Sequence, residues 1–180
     1  MPESPVLRIG VSACLLGQMV RYDGGHKQHA PIVEILSQWA ELIPVCPEVA
    51  IGLTVPREPI RLEERGGSVH AVKINSRTDV SKPLRDYGML MASSLAGISG
   101  YIFKSKSPSC GLASVSVYDS EGSVSRTGAG LFAAEIMHAF PQLPVVEESE
   151  LVTLKHCERF MECVRAYQPS VTAKQHRPEP

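Results

Sequence analysis

The chain lacks any close pair of cysteines. Its 5 cysteines are an odd number with no C-x-x-C spacing. That argues against a disulfide framework and for a reducing, cytoplasmic setting. Long apolar runs are missing as well: no stretch approaches the roughly 20 residues of a membrane span. The segment from Met1 to Arg8 has no basic region followed by an apolar one, so no secretory leader is read. Nor is there an excess of one charge. The net charge of -1 gives no electrostatic ground for sequence-independent nucleic-acid binding. Internal repeats are absent too. What is present, 180 residues with 43% hydrophobic and 21% charged content, fits a globular chain of one domain with a real core.

The apolar pattern predicts strands over 7–13, 42–45, 69–74, 101–103 and 113–118, with a last short one at 144–146. Helical spacing appears after Pro31 (Ile32, Ile35, Leu36, Trp39), from Asp79 or Ser81 to about Ala96, over 128–140, and in a final helix ending near Tyr167. Residues 47–68, rich in proline and charge, read as a long irregular segment. Residues 168–180, with three prolines and no apolar period, read as a mobile tail after a domain of 1–167. Strands alternating with helices predict a single α/β domain whose mainly parallel sheet is flanked by helices. Ligand sites in such sheets form beyond the carboxyl ends of the strands.

Three cysteines occupy that kind of position. Cys14 stands in Ser12-Ala13-Cys14-Leu15-Leu16-Gly17, Cys46 in Pro44-Val45-Cys46-Pro47-Glu48, and Cys110 in Ser107-Pro108-Ser109-Cys110-Gly111. A free cysteine taken singly is commonly a small buried hydrophobe. Three of them in loops at strand ends point instead to a shared thiolate metal site. Thiolate ligation favours iron–sulfur, zinc or copper(I). A structural zinc site calls for four ligands, so an iron–sulfur cluster with one iron free fits three cysteines better.

Glu48, two residues after Cys46, is a candidate proton carrier. Ser107 and Ser109 can hydrogen-bond a substrate or the centre, although Ser-Pro-Ser is also ordinary turn chemistry. Arg21 and Asp23 flank a glycine turn and can bind the polar edge of a base. Lys104 and Lys106 can line the third loop. Cys157, Cys163 and the histidines show no ligand spacing.

The ordered motifs SACLLG, Arg21-Tyr22-Asp23-Gly24-Gly25, VCPE and KSPSCG resemble a bacterial family, long catalogued as a domain of unknown function, that is associated with thiouracil desulfidase activity. The resemblance runs from about Ile9 to Pro144. It is strongest to a subgroup often fused to a second, C-terminal domain, which this chain is expected to lack. It implies a 4Fe–4S cluster held by Cys14, Cys46 and Cys110, with one open iron. It further implies Glu48 and Ser107 as catalytic residues, and a substrate site drawing on Arg21, Asp23, Lys104 and Ser109. The implied partner is a small thiolated nucleobase or nucleoside, with no membrane or nucleic acid; monomer and small homo-oligomer both fit. The contrasting expectation is a non-catalytic sensor or structural module organised by a metal or cluster.

Overall fold

The computed structural model describes residues 6–95 and 97–175. In chain order the elements are β1 (Arg8–Ser12), α1 (Ala30–Glu34), β2 (Glu41–Val45), α2 (Pro47–Ala50), β3 (Ile60–Arg65), β4 (Ser68–Lys73) and α3 (Ser81–Ser94). They continue with β5 (Gly100–Phe103), β6 (Val115–Tyr118), β7 (Val124–Gly128), α4 (Leu131–Ala139), β8 (Val145–Glu147) and α5 (Leu154–Gln175). The chain is thus α/β, as its pattern predicts, with two sheets rather than one.

The first sheet runs β2-β1-β5-β8 and is parallel throughout. Alternation along β5 sends Tyr101 and Phe103 to one face and Ile102 to the other. The Ile102 face, with Ile9, Val11 and Val146, is covered by Ile32 and Leu36 around α1 and by Phe160, Met161 and Val164 of α5. The Tyr101 face is covered by Phe132 and Ile136 of α4 and by Tyr87 and Met91 of α3. Those two helices then meet the second sheet through Leu84 and Leu131, which pack with Leu62, Ala71 and Val117. The second sheet, β4-β3-β6-β7, is mixed: two antiparallel hairpins are joined by one parallel pair, β3 with β6.

Pro44 sits within β2, where an edge strand tolerates the missing donor. The chain leaves β1 sideways to β2 and later returns to β5 on the other flank of β1. Strand order therefore reverses at β1, and an open α/β sheet has its ligand crevice at such a reversal, beyond the carboxyl ends.

Three expectations need correction. The 47–68 segment is not irregular throughout, for it holds α2 and all of β3. In β3 the alternation is masked because the residue buried opposite the apolar face is Glu63, only 4% exposed. Arg61, Arg65 and Arg77 make that burial tolerable by hydrogen-bonding its carboxylate. The helix expected from 128 begins at Leu131, and the residues before it form β7, a polar edge strand with almost no apolar signal. At the other end, α5 extends past Tyr167 to Gln175; residues 176–180, the rest of the expected tail, lie outside the described residues.

Candidate active site

The three motif cysteines follow three adjacent strands. Cys14 lies in a single 3-10 turn, Ala13–Leu16, directly after β1, and that turn closes at Gly17 with φ 89. Cys46 is the residue between β2 and α2. Cys110 lies in the loop that leaves β5. All three line one cavity of about 440 Å³ at the carboxyl end of the first sheet. Among the described residues no three His, Cys, Asp or Glu close upon a single ion.

The Cys110 loop is fixed at three places. At its base it sits on the first turn of α4, whose N–H groups have no partners within the helix. Gly130 N donates to Gly111 O (2.8 Å), Leu131 N to Pro108 O (3.1 Å) and Ala133 N to Ser109 O (3.1 Å). A Cβ on Gly130 would stand 2.5 Å from the Ser109 carbonyl carbon, so only glycine permits this approach. The other two anchors are consecutive carboxylates at the end of β8. Glu147 Oε1 accepts from Leu112 N (2.8 Å) and Ser114 Oγ (3.0 Å). Glu148 accepts from Ser105 N (2.6 Å), Ser105 Oγ (2.8 Å) and Lys104 Nζ (2.5 Å). Neither glutamate is marked by its neighbours in sequence, because each acts on groups more than thirty positions away.

Glu48 lines the cavity with both oxygens engaged. Ser109 Oγ donates to Oε1 (2.8 Å), and Arg57 Nε donates to Oε2 (2.7 Å). The Arg57 and Glu48 side chains are only 5% and 14% exposed, so this pair is one of the charge-assisted, largely desolvated kind. Arg57 Nη2 also donates to Val20 O (2.8 Å), tying Glu48 to the loop after Cys14.

The other expected residues separate clearly. Ser107 lines the cavity, and its oxygen accepts from Ser109 N (3.3 Å) and Cys110 N (3.1 Å), leaving its own proton to donate. Ser109 is fully buried behind Glu48 and does not line the cavity. Arg21 lines it, but Asp23 does not: Asp23 Oδ1 accepts from Gly25 N (3.0 Å) and closes the turn. That hydrogen bond chiefly holds the Asp23 carboxyl below its ordinary pKa. Lys104 lines the cavity with its ammonium turned to Glu148 and Ser105. Two residues of the site escape sequence reasoning besides the two glutamates: Arg57, and Tyr22, the one aromatic ring on the cavity wall among the described residues. Ser12, placed just before Cys14 in the sequence, lines the cavity too, and its hydroxyl accepts from Lys104 N (3.0 Å).

Five cations line the cavity: Arg21, Arg57 and Lys104 are ion-paired with Asp23, Glu48 and Glu148, and Lys27 and Lys106 stand beside them. Burial pushes the Cys14 thiol up to about 11, with Lys104 and Arg21 opposing the rise. Burial likewise raises Cys46, opposed first by the N–H of Val49. It raises Cys110 most of all, against a hydrogen bond from Ser12. The other two cysteines are among the charges acting on Cys110, as expected of thiols sharing one pocket. Buried thiols amid cations suit ligation by a metal that displaces their protons.

Fold and site together define an open α/β protein with three cysteines lining one cavity at the strand-order reversal of its parallel sheet. The profile of the 2-thiouracil desulfurase family matches residues 9–148, and the chain belongs to that family. It is 30% identical over 151 residues to the uncharacterized protein YbbK of Bacillus subtilis (strain 168), covering 78% of this chain and 95% of that one. The solved structure of the 4Fe–4S-dependent thiouracil desulfidase TudS superposes with a TM-score of 0.65 at 30% identity, covering 87% of this chain and 98% of TudS.

Proposed function

We propose that the protein is an iron–sulfur desulfidase that exchanges the sulfur of a thiolated pyrimidine for oxygen from water. The thiocarbonyl and one water give the carbonyl and one hydrogen sulfide, with no net redox change. The observation that carries this reading is the convergence of Cys14, Cys46, Cys110 and Glu48 on one cavity. The donor set fits a 4Fe–4S cluster: three soft ligands line one cavity beside cationic side chains, and a fourth position is left to substrate. Bound by these cysteines, such a cluster supplies a soft Lewis acid for the thiocarbonyl sulfur.

The protein's own groups then divide the work. Glu48 keeps a free lone-pair direction on each oxygen after its bonds to Ser109 and Arg57. It can take a proton from the attacking water and return it to the departing sulfur. Ser109 and Arg57 hold that carboxylate in one orientation, and such positioning is much of what a general base requires. Ser107 has a hydroxyl proton available toward the cavity for the substrate. Arg21 and Tyr22 border the same space, a cation and a π face suited to a flat, polar ring. Lys104, engaged with Glu148, contributes positive field at the third loop rather than a free hydrogen-bond donor.

Anaerobic reconstitution with iron and sulfide, followed by a 2-thiouracil assay, tests the reading. We expect uracil and sulfide in equal amounts. Undiminished turnover by the C14A/C46A/C110A variant overturns it. Glu48→Gln separates an enzyme from a binding module, because a cluster that serves only structure keeps all its properties in that variant.

A further inference from the structure

Arg57 does more than pair with Glu48. Its side chain is buried, and its guanidinium reaches three separate stretches of chain. Nε donates to Glu48 Oε2 (2.7 Å), Nη2 to Val20 O (2.8 Å) and Nη1 to Thr54 O (3.3 Å). The main chain adds a fourth contact, from Arg57 N to Tyr22 O (2.8 Å). A guanidinium can serve so many acceptors because its five N–H groups form a rigid planar fork. An ammonium is a compact charge on a flexible stem and has no such reach.

The two carbonyls that Arg57 takes from the loop after Cys14 stand on either side of Arg21. Val20, Arg21 and Tyr22 all line the cavity. Arg57 therefore grips the wall assigned above to the ring at both neighbours of its cation. The same guanidinium holds Glu48, which comes from the far side of the first sheet's reversal, after β2. Base and wall thus share one support, and that support is a single side chain.

We propose that Arg57 is a positioning residue that sets the geometry of attack, fixing the carboxylate that activates water at a set distance from the wall that seats the ring. The assignment rests on the desulfidase reading above. It adds that the base and the ring site cannot be placed independently of each other. Water held by Glu48 must meet the thiocarbonyl carbon, and a misplacement of about 1 Å can cost on the order of 10²-fold in rate. A lysine at this position keeps a charge beside Glu48 but cannot hold Val20 O and Thr54 O at the same time. The charge and the clamp are therefore separable by substitution.

Arg57→Lys in the loaded protein should lower kcat per cluster by about 10–100-fold and raise KM for 2-thiouracil several-fold. In the unloaded chain the same variant should speed hydrogen exchange at the amides of Arg21 and Gly24, which close the turn of that loop by bonding Gly25 O and Arg21 O. Exchange within β1 should stay as it is. Turnover of Arg57→Ala should be restored in part by methylguanidinium and not by methylammonium at the same concentration; this arm reads the same quantity if the lysine variant folds poorly. Parental kcat and KM in Arg57→Lys overturn the assignment and leave the desulfidase reading intact. A fall in kcat with parental KM and parental loop exchange marks Arg57 as a counter-charge to Glu48 alone and also overturns it. Equal rescue by methylammonium does the same. A parent that takes up no iron and acid-labile sulfide, or that leaves thiouracil unchanged once loaded, overturns both.

Discussion

The two sheets handle charge in opposite ways. The first sheet has apolar strands, and its polar groups gather beyond their carboxyl ends, where Cys14, Cys46, Glu48 and the Cys110 loop meet. The second sheet carries charge in its middle: Glu63 is almost fully buried, with Arg61 Nε at 2.7 Å and Arg65 and Arg77 on the same carboxylate. In one sheet ionisable groups are arranged around an open space; in the other they saturate one another. Only the first arrangement leaves free valence, and free valence is what chemistry needs. The second is a means of burying a strand whose sequence is not apolar.

Substitutions on either side sharpen the contrast. The largest effect is expected for Glu48→Gln: turnover should fall by about 10²–10⁴, while the visible spectrum of the loaded protein is retained. Next comes Glu148→Ala, which strips the Cys110 loop of three hydrogen bonds and leaves Lys104 unpaired. A loss of roughly 2–4 kcal/mol in urea unfolding is expected, together with weaker cluster retention. Glu63→Gln should cost about 1–3 kcal/mol with turnover per loaded site unchanged; a fall in turnover would break the division between the sheets. The smallest effect is expected for Tyr22→Leu, which should raise KM for thiouracil several-fold, given that stacking on a base is worth about 1–3 kcal/mol, and leave stability as it was.

Acid should separate the sheets in the same way. The three arginines, Arg77 foremost, hold the Glu63 carboxyl down at about 2, from an ordinary 4.5. As pH falls below about 4.5 the unfolded chain takes up this proton first. The stability contributed by the ionised Glu63 is therefore full above that pH and is lost progressively on the way to about 2. Urea titrations of the parent and of Glu63→Gln should converge across that interval.

Much of the first sheet was legible in the sequence because three of its four strands are short apolar runs leading into a cysteine motif. The second sheet was half hidden. The alternation of β3 alternates two kinds of buried residue, Leu62 and Glu63, and only one of them is apolar. In β7 every residue but the last is exposed, so no period exists to be read. At the site, the cysteines and Glu48 announced themselves through local motifs. The roles of Ser109, Arg57, Glu147 and Glu148 depend on partners brought close only by folding: Glu148 reaches 43 residues back to Ser105. Asp23 shows the converse, a motif residue whose carboxylate serves its own turn.

The hydrogen bond from Ser109 to Glu48 spans 61 positions in sequence, yet each of its ends lies within two residues of a cysteine. The base and two of the thiols thus form one mechanical piece. Heritable variation at this site should accordingly be epistatic. A change tolerated beside Cys46 should become harmful, or the reverse, according to what stands beside Cys110. The single and double variants of Ser109 and Glu48 should then depart from additivity in turnover, and descent within the family should move these two loops together.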